Sequence, residues 1–185
     1  AALRAHGTEV EVLPELHGYP DCCFVEDAAV ILEDTAIILA PGHPSRSGEV
    51  DSIADHLSQS MEIVRLGGKG CVDGGDVVFL DDTVVIGKST RTDEAGIKEL
   101  SRHMRALDFK VHVMEVPSTT PHLTTVCSSP RPGTRVYSER DLPSEALRSS
   151  VAELIPVPAP EAYAAHTLGY PNDRVIIAAG YPETR

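Results

Sequence analysis

Three carboxylates lie within seven residues of the segment YPDCCFVEDAAV, which spans residues 19–30. Asp21, Glu26 and Asp27 interrupt an otherwise apolar stretch and flank two adjacent cysteines. Hard metal ions need about six or more oxygen ligands, and too few histidines lie near these acids for a zinc site. A planar guanidinium presents a fixed fork of donors that carboxylates accept in bidentate fashion. We therefore favour a guanidinium ligand and no metal, while the alternative that the acids only fix turns stays open.

Polar residues recur farther along the chain, each directly before an apolar run: Asp73 and Asp76 in VDGGDVV, His122 in PHLTT, and His166. His122 is a candidate general acid or base because histidine titrates near neutral pH. A histidine satisfied inside the core is the alternative. The glycine pair in VDGGDVV permits a tight turn and close approach of the backbone to a ligand.

Two arginines occupy similar loops, Arg46 in PSRSGE and Arg91 in STRTDE. An arginine on a surface loop is often only solvated. Because these two stand in equivalent places, they could instead bind one carboxylate together.

An internal repeat positions these residues. The segment VILEDTAIIL (30–39) aligns without a gap on VFLDDTVVIG (78–87), at an offset of 48 residues. Each copy reads as strand, acidic turn and strand, and each is followed by an arginine loop and a helical apolar pattern. A further strand completes each copy, at residues 61–66 and 110–116. The repeating unit is therefore predicted to be ββαβ.

The remaining segments fit the same unit. A third copy is predicted with strands at 122–127 and 135–138, a helix at 144–154 and a strand at 155–158. A fourth begins with two strands around the turn YPND, and residues 1–14 read as the helix and last strand of a preceding unit. We therefore expect three units and two incomplete terminal units. An incomplete unit leaves strand edges unpaired, so we expect the sequence to be a fragment of a longer protein. A complete four-unit array is the alternative. If the units surround an axis, their polar residues converge on one site.

Composition and charge limit the class of protein and of partner. The 185 residues carry a formal net charge of -12, which argues against a nucleic-acid partner. No apolar run approaches the roughly 20 residues of a membrane span, and no leader opens the chain, so we predict one cytoplasmic domain over residues 1–185. The four cysteines, Cys22, Cys23, Cys71 and Cys127, form no CxxC motif, and we expect them to be reduced packing residues.

Five ordered motifs, PDCCFVEDAAV, APGHPSRSGEV, VDGGDVV, STRTDEAGI and PHLTT, together resemble the dimethylarginine dimethylaminohydrolase family of the guanidino-group-modifying (pentein) superfamily. The resemblance covers nearly the whole chain. It implies an α/β fold, the pentein α/β-propeller of ββαβ units around a pseudo-fivefold axis, with incomplete terminal units here.

The resemblance also implies roles. Asp21, Glu26 and Asp27 would hold a substrate guanidinium, with Asp73 acting on it and on the histidine. Arg46 and Arg91 would bind the amino-acid carboxylate, and His122 would be the general acid/base. The implied reaction converts Nω-methylated L-arginine to L-citrulline and dimethylamine or methylamine through a covalent cysteine intermediate, without a cofactor.

The family's nucleophilic cysteine lies near its C-terminus, and this sequence ends at Arg185, before that segment. We therefore expect the chain as written to be inactive. Two alternatives remain: another guanidine-modifying enzyme such as an arginine deiminase, and a non-catalytic propeller that acts by binding. The predicted partner is a small guanidino amino acid, with no nucleic acid or membrane; a homodimer is a further prediction.

Overall fold

The computed structural model describes residues 2–147 and 153–184. A short helix, α1 (Ala2–Ala5), comes first and is followed by coil. The predicted strand over residues 8–14 is wrong: these residues run as coil, and no described strand pairs with them. A strand pattern becomes a strand only where a neighbouring strand takes up its hydrogen bonds.

The predicted ββαβ unit is present. In the first unit, β1 (Ala29–Leu32) pairs antiparallel with β2 (Thr35–Ile38), which pairs parallel with β3 (Glu62–Arg65). The helix α2 (Glu49–Leu57) connects β2 to β3. The second unit repeats this order with β4 (Val77–Leu80), β5 (Thr83–Lys88), α3 (Glu94–Ala106) and β6 (Lys110–Glu115).

The register repeats as well as the order. Ala29 faces Ile38 across the first hairpin, and Val77 faces Ile86 across the second. Both pairs are related by the 48-residue offset that the sequence alignment gave. The apolar face predicted for α3 is buried: Leu100 and Met104 are fully covered. The mixed α/β fold of repeated units is thus confirmed, while closure into a ring about a pseudo-fivefold axis and a single 1–185 domain stay predictions.

The third unit has the same topology but shifted boundaries. It contains β7 (Cys127–Arg131), β8 (Thr134–Ser138), α4 (Ser144–Leu147) and β9 (Glu153–Val157). The prediction of a first strand at 122–127 is wrong, because the strand begins at Cys127 and runs into the proline-rich segment that reads as a turn. A register irregularity between Ser128 and Arg131 accommodates Pro130.

The prediction that the helix of this unit reaches residue 154 is also wrong, since Glu153 and Leu154 belong to β9. Its part over residues 148–152 lies outside the described residues. The last hairpin, β10 (Thr167–Tyr170) with β11 (Arg174–Ile177), confirms the two strands predicted around YPND. Asn172 and Asp173 adopt positive φ in its turn, a conformation that Asn and Asp tolerate.

Successive units share their cores. One apolar cluster joins Val30 and Ile37 of the first unit to Val84 and Leu100 of the second. Another joins Val85 of the second unit to Leu123 and Tyr137 of the third. Each unit therefore buries its apolar face against its neighbour, as in other repeat proteins. Among residues 2–147 and 153–184, no helix is long and apolar enough to cross a membrane.

Candidate active site

A short 3₁₀ helix precedes the first strand of each unit, and we call these four segments the lead helices. They are Val25–Ala28, Gly74–Asp76, Leu123–Thr125 and Ala159–Ala165. The apolar stretch YPDCCFVEDAAV is typical of a strand, but its acids lie on a turn and a lead helix. Because the lead helices stand at equivalent positions, their polar residues point toward a common region.

The first three lead helices are joined in sequence by hydrogen bonds of one kind. The backbone amide of Gly75 donates to Oδ1 of Asp27 at 2.9 Å, and the amide of Leu123 donates to Oδ1 of Asp76 at 2.8 Å. A carboxylate of one unit thus satisfies a buried amide of the next, which also fixes the positions of the acids.

His122 lies among carboxylates from two units. Its Nε2 is 3.8 Å from Oδ1 of Asp27 and 3.9 Å from Oδ2 of Asp73, and its Nδ1 is 3.8 Å from Oδ2 of Asp76. These distances exceed hydrogen-bond length, so the interaction is one of charge. Burial alone would lower the pKa of His122, but the neighbouring carboxylates of Asp76, Asp27 and Asp73 outweigh it and raise that pKa.

A cavity of about 500 Å³ opens beside this cluster, a size typical of small-molecule sites. The structure brings six of the seven predicted site residues to its wall: Asp21, Glu26, Asp27, Arg46, Arg91 and His122. The seventh, Asp73, is fully buried behind the wall. His166 from the fourth unit also lines the cavity, so all four units contribute to it.

Asp73 has an incomplete set of partners. Its Oδ1 accepts a hydrogen bond from the amide of Gly42 at 2.6 Å, whereas the buried Oδ2 has no hydrogen-bond partner. Burial raises the pKa of Asp73, against the opposing effect of the Gly42 amide. A buried carboxylate oxygen without a partner is costly, so it is suited to accept a proton or a donor from a ligand or from His122.

Glu26 lies at the solvent-exposed side of the cavity. Its side chain reaches solvent, yet the surrounding protein desolvates the carboxyl enough to raise its pKa, while the nearby His166 acts in the opposite direction. The acids of the wall are therefore not equivalent. Glu26 is accessible to a ligand, and Asp73 is reached only through the cluster around His122.

Arg46 differs from its prediction in one respect. Its guanidinium is buried and already bound by protein: Nε donates to Glu49 at 2.8 Å, Nη1 donates to Asp27, and Nη2 donates to the carbonyls of Asp21 and Phe24 at 3.2 and 3.0 Å. Burial opposes the charge, but the bonds to Glu49 and Asp27 raise the pKa of Arg46 above its usual range. Few donors remain for a ligand carboxylate.

Arg91 has the opposite surroundings. It is half-buried at the cavity wall, and within the described part of the chain its guanidinium has no hydrogen-bond partner. Its backbone amide is held by Oγ of Ser89 at 2.9 Å. The loop is thus fixed while the side chain stays available.

Asp76 was named among the recurrent polar residues but was given no role in the predicted site. It is fully buried, and Oδ2 accepts hydrogen bonds from the hydroxyls of Ser89 and Thr92, both at 2.6 Å. The sequence indicates its role only weakly, because the alignment of the first two units places Asp76 opposite Ala28 and not opposite Asp27. Ser and Thr after the following strand, in STRT, are the only hint of its partners.

The glycine pair also permits a close approach within the protein, while the predicted approach to a ligand stays a prediction. A Cβ at Gly74 would lie 2.0 Å from the carbonyl oxygen of Glu26, and a Cβ at Gly75 would lie 2.8 Å from Cγ of His122. The close approach is between two lead helices and the histidine ring. The glycines therefore allow the cluster to form.

By residue type, Asp27, Asp73 and His122 could also hold a metal ion, since one ligand atom from each lies within 4.8 Å of the others. Asp27, however, already binds Arg46 and the Gly75 amide. A set with one histidine and an occupied carboxylate is poor for zinc. The absence of a metal stays a prediction.

Comparison with known proteins agrees with this arrangement. Residues 1–129 match a family model described as N,N dimethylarginine dimethylhydrolase, eukaryotic. A dimethylarginine dimethylaminohydrolase of Streptomyces coelicolor is 30% identical over 184 residues, which cover 99% of this chain and 69% of that protein.

Solved structures give the same result. The enzyme of Pseudomonas aeruginosa, in a mutant form complexed with citrulline, has a TM-score of 0.88 and 28% identity and covers 99% of this chain and 71% of that one. The N-terminal domain of ArgZ, a cyanobacterial arginine dihydrolase, reaches a TM-score of 0.84 at 16% identity and covers 96% of this chain and 70% of that one, which indicates a shared fold. The repeated units, the ordered motifs and these matches lead to one conclusion: the chain belongs to the dimethylarginine dimethylaminohydrolase family of the pentein superfamily.

Proposed function

We propose that this chain forms the substrate-binding wall and acid/base centre of a hydrolase that converts Nω-methylated L-arginine to L-citrulline and dimethylamine or methylamine. The observation that carries the proposal is His122, held among Asp27, Asp73 and Asp76 at the wall of a small-molecule cavity. The relatives named dimethylarginine dimethylaminohydrolases, one of them complexed with citrulline, support the same reaction.

The acids would receive the guanidinium. Asp21 and Glu26 reach the cavity, and the Oδ2 of Asp73 lacks a partner. The carboxylate oxygens of Asp27 accept hydrogen bonds from Arg46 and from the Gly75 amide. Asp27 therefore contributes mainly negative charge close to His122. A cationic guanidinium is stabilised by such a wall without a metal.

The arginines would receive the substrate's α-carboxylate. Arg91 is the main ligand in this proposal, because its guanidinium is available at the wall. Arg46 also lines the cavity but contributes mainly positive charge, since its own donors are engaged by Glu49, Asp27 and two carbonyls. A substrate with a free α-carboxylate therefore fits better than agmatine, which has none.

In the reaction, a cysteine thiolate attacks the guanidinium carbon and forms a C–S bond. Protonated His122 gives its proton to the departing methylamine or dimethylamine, so the C–N bond breaks. The neutral imidazole then takes a proton from water, which attacks the same carbon and releases L-citrulline and the thiolate. The raised pKa of His122 favours the protonated state that the first step needs.

We further propose that the nucleophile lies in a C-terminal segment outside these 185 residues. Cys127 is buried, and burial raises its pKa to about 12. Burial also raises the pKa of the Cys71 thiol. Of the four cysteines, only Cys23 lines the cavity, on its exposed side. The 185-residue chain is thus expected to be inactive, and the cytoplasmic location and homodimer stay predictions.

The test measures citrulline released from asymmetric dimethylarginine by the longer protein and by this chain alone. We expect turnover only by the longer protein, and a loss of about 10²–10⁴-fold in kcat in its His122→Ala variant. His103→Ala, at a histidine of α3 outside the cavity, is the matched control and keeps full activity.

Three outcomes would contradict the proposal. Equal turnover of unmethylated arginine would favour a deiminase. Citrulline binding without any turnover by the longer protein would favour a binding module. Turnover by the 185-residue chain that disappears in Cys23→Ser would place the nucleophile at the cavity mouth instead.

A further inference from the structure

Cys22 and Cys23 take no part in the proposed reaction, yet they have the most unusual position of the four cysteines. They lie in the turn that precedes the first lead helix, where Cys23 is exposed and Cys22 is half-buried. Cys23 also lines the mouth of the cavity. The expectation that the pair only fills the core is therefore wrong for Cys23.

The turn that carries the pair also holds Arg46. The amide of Cys22 donates to the carbonyl of Tyr19 at 3.2 Å, and the amide of Phe24 donates to that of Asp21 at 3.0 Å. The carbonyls of Asp21 and Phe24, one residue to either side of the pair, accept the Nη2 donors of Arg46. The backbone of the thiol pair is thus coupled to the buried ion pair of Arg46.

We propose that Cys22 and Cys23 form a dithiol modification site, which hydroperoxides close to a disulfide and which binds trivalent arsenicals in its reduced state. In the oxidation, the two S–H bonds and the O–O bond of the hydroperoxide break, one S–S bond forms, and an alcohol (or water) and water leave. The thiols lose two electrons to the hydroperoxide. In arsenical binding, both thiols bond to one arsenic atom and water is released without redox change.

Closure must change the turn. Adjacent Cα atoms across a trans peptide are about 3.8 Å apart, whereas bridged cysteines normally need about 4.4–6.8 Å. The peptide between Cys22 and Cys23 therefore distorts when the bridge forms, which should weaken the hydrogen bonds of the flanking carbonyls with Arg46. Strained and exposed disulfides of this kind are readily reduced again, so the modification is reversible.

The other thiols are poorly placed to compete. Cys127 is buried, and Cys71 is half-buried in a different unit. Thiol oxidation follows exposure and thiolate content, and burial raises the pKa of both of these thiols. Hydroperoxide should thus reach Cys23 first, and Cys22 is the adjacent thiol that resolves it.

The first experiment treats the native chain with hydrogen peroxide, blocks free thiols with iodoacetamide in denaturant and digests with trypsin. Cleavage after Arg4 and Arg46 isolates both cysteines in the peptide 5–46, while Cys71 and Cys127 fall in other peptides. We expect peptide 5–46 to be unalkylated and two hydrogen masses lighter than the reduced peptide, and a phosphine should restore the reduced mass. Cys71 and Cys127 should still be alkylated. Full alkylation of peptide 5–46 while Cys71 oxidises, or a disulfide between chains, would overturn the proposal.

The second experiment uses phenylarsine oxide on the reduced chain. We expect one arsenic per chain by native mass spectrometry and at least a tenfold weaker adduct in Cys22→Ser and in Cys23→Ser, but not in Cys71→Ser. Equal binding by the single variants would overturn the pairing.

The third experiment tests the coupling to Arg46 by thermal unfolding. Oxidation should lower Tm by about 2–4 °C, and peroxide should leave the Tm of Cys22→Ser/Cys23→Ser unchanged. An oxidised parent with an unchanged Tm would contradict the coupling.

Discussion

The loops that follow β2 and β5 carry the same sequence pattern but use their arginines differently. Arg46 is buried and paired with Glu49 and Asp27, whereas Arg91 is half-buried without a hydrogen-bond partner for its guanidinium in the described residues. Both arginines have a glutamate three residues later. Repetition therefore determines where the arginine stands, and its neighbours determine what it binds.

Two neighbours account for the difference. Glu94, the counterpart of Glu49, is exposed and pairs with Lys88 at 2.7 Å, and the strand alignment places Ala40 opposite that lysine. The acid that takes the place of Asp27 in the second unit is Asp76, and its Oδ2 accepts from the hydroxyls of Ser89 and Thr92. The glutamate of this loop is therefore bound to a lysine, and the buried aspartate is bound to two hydroxyls. Arg91 is thereby left available for a ligand.

The largest effect is expected from Arg46→Met. This change leaves Asp27 and Glu49 buried without their cation, and removing one partner of a buried ion pair costs about 3–5 kcal/mol. The measurement is urea unfolding, with Arg91→Met as the matched control. Arg91→Met should stay within about 0.5 kcal/mol of the parent. Equal losses in the two variants would remove the distinction between the loops.

A smaller effect is expected from Asp76→Asn in the second unit. Asp76 accepts from Ser89, Thr92 and the Leu123 amide, and an uncharged amide weakens these bonds at a cost of about 1–3 kcal/mol. Loss of its charge should also lower the pKa of His122 toward the ordinary value. Urea unfolding and an NMR titration of His122 measure both effects, with the exposed Asp55→Asn as control. An unchanged His122 titration would mean that Asp27 of the first unit, and not Asp76, raises the pKa of His122.

The smallest effect concerns pH. Because the folded-state pKa of His122 is raised above 6.5, its protonation stabilises the fold fully below that value, and this contribution disappears as pH rises through the folded pKa. The free energy of unfolding of the parent should therefore fall across this window. In His122→Asn the part of the fall that is due to His122 should be absent. The raised pKa values of Glu26 and Asp73 act from a lower starting pH, near the ordinary carboxyl range, and persist in the variant, since the charge of His122 opposes both of these shifts. Parallel pH profiles for the two proteins would contradict the prediction.

The fold was predictable where the repeat is strong. The continuous apolar runs of β1, β2, β4 and β5, separated by acidic turns, and the helical spacing of apolar residues in α2 and α3 are visible in the sequence itself. The third unit was misplaced because Pro130 and Pro132 are typical of a turn, yet a register irregularity lets β7 extend to Arg131. Residues 8–14 have a strand pattern, but pairing depends on a neighbour that no local pattern reveals.

The sequence indicated which residues lie near the candidate site better than which contacts they make. The repeat predicted that Asp27, Asp73 and His122 converge if the units surround an axis, although the register places none of the three opposite another. It could not reveal that Glu49 turns toward Arg46 while Glu94 turns toward Lys88, because that choice depends on which cation lies nearest in space. The role of Asp76 was not predicted for a similar reason, since its donors come from a loop 13 and 16 residues later.

The carboxylate-to-amide bonds between lead helices bear on how such sequences drift during evolution. Asp27 and Asp76 each satisfy a buried amide of the next unit, so losing either acid would weaken the assembly as well as the ligand site. Selection for a folded chain alone would thus preserve them. A descendant without catalytic activity would still carry Asp27 and Asp76, so acids at these two positions do not by themselves distinguish an active enzyme from an inactive one.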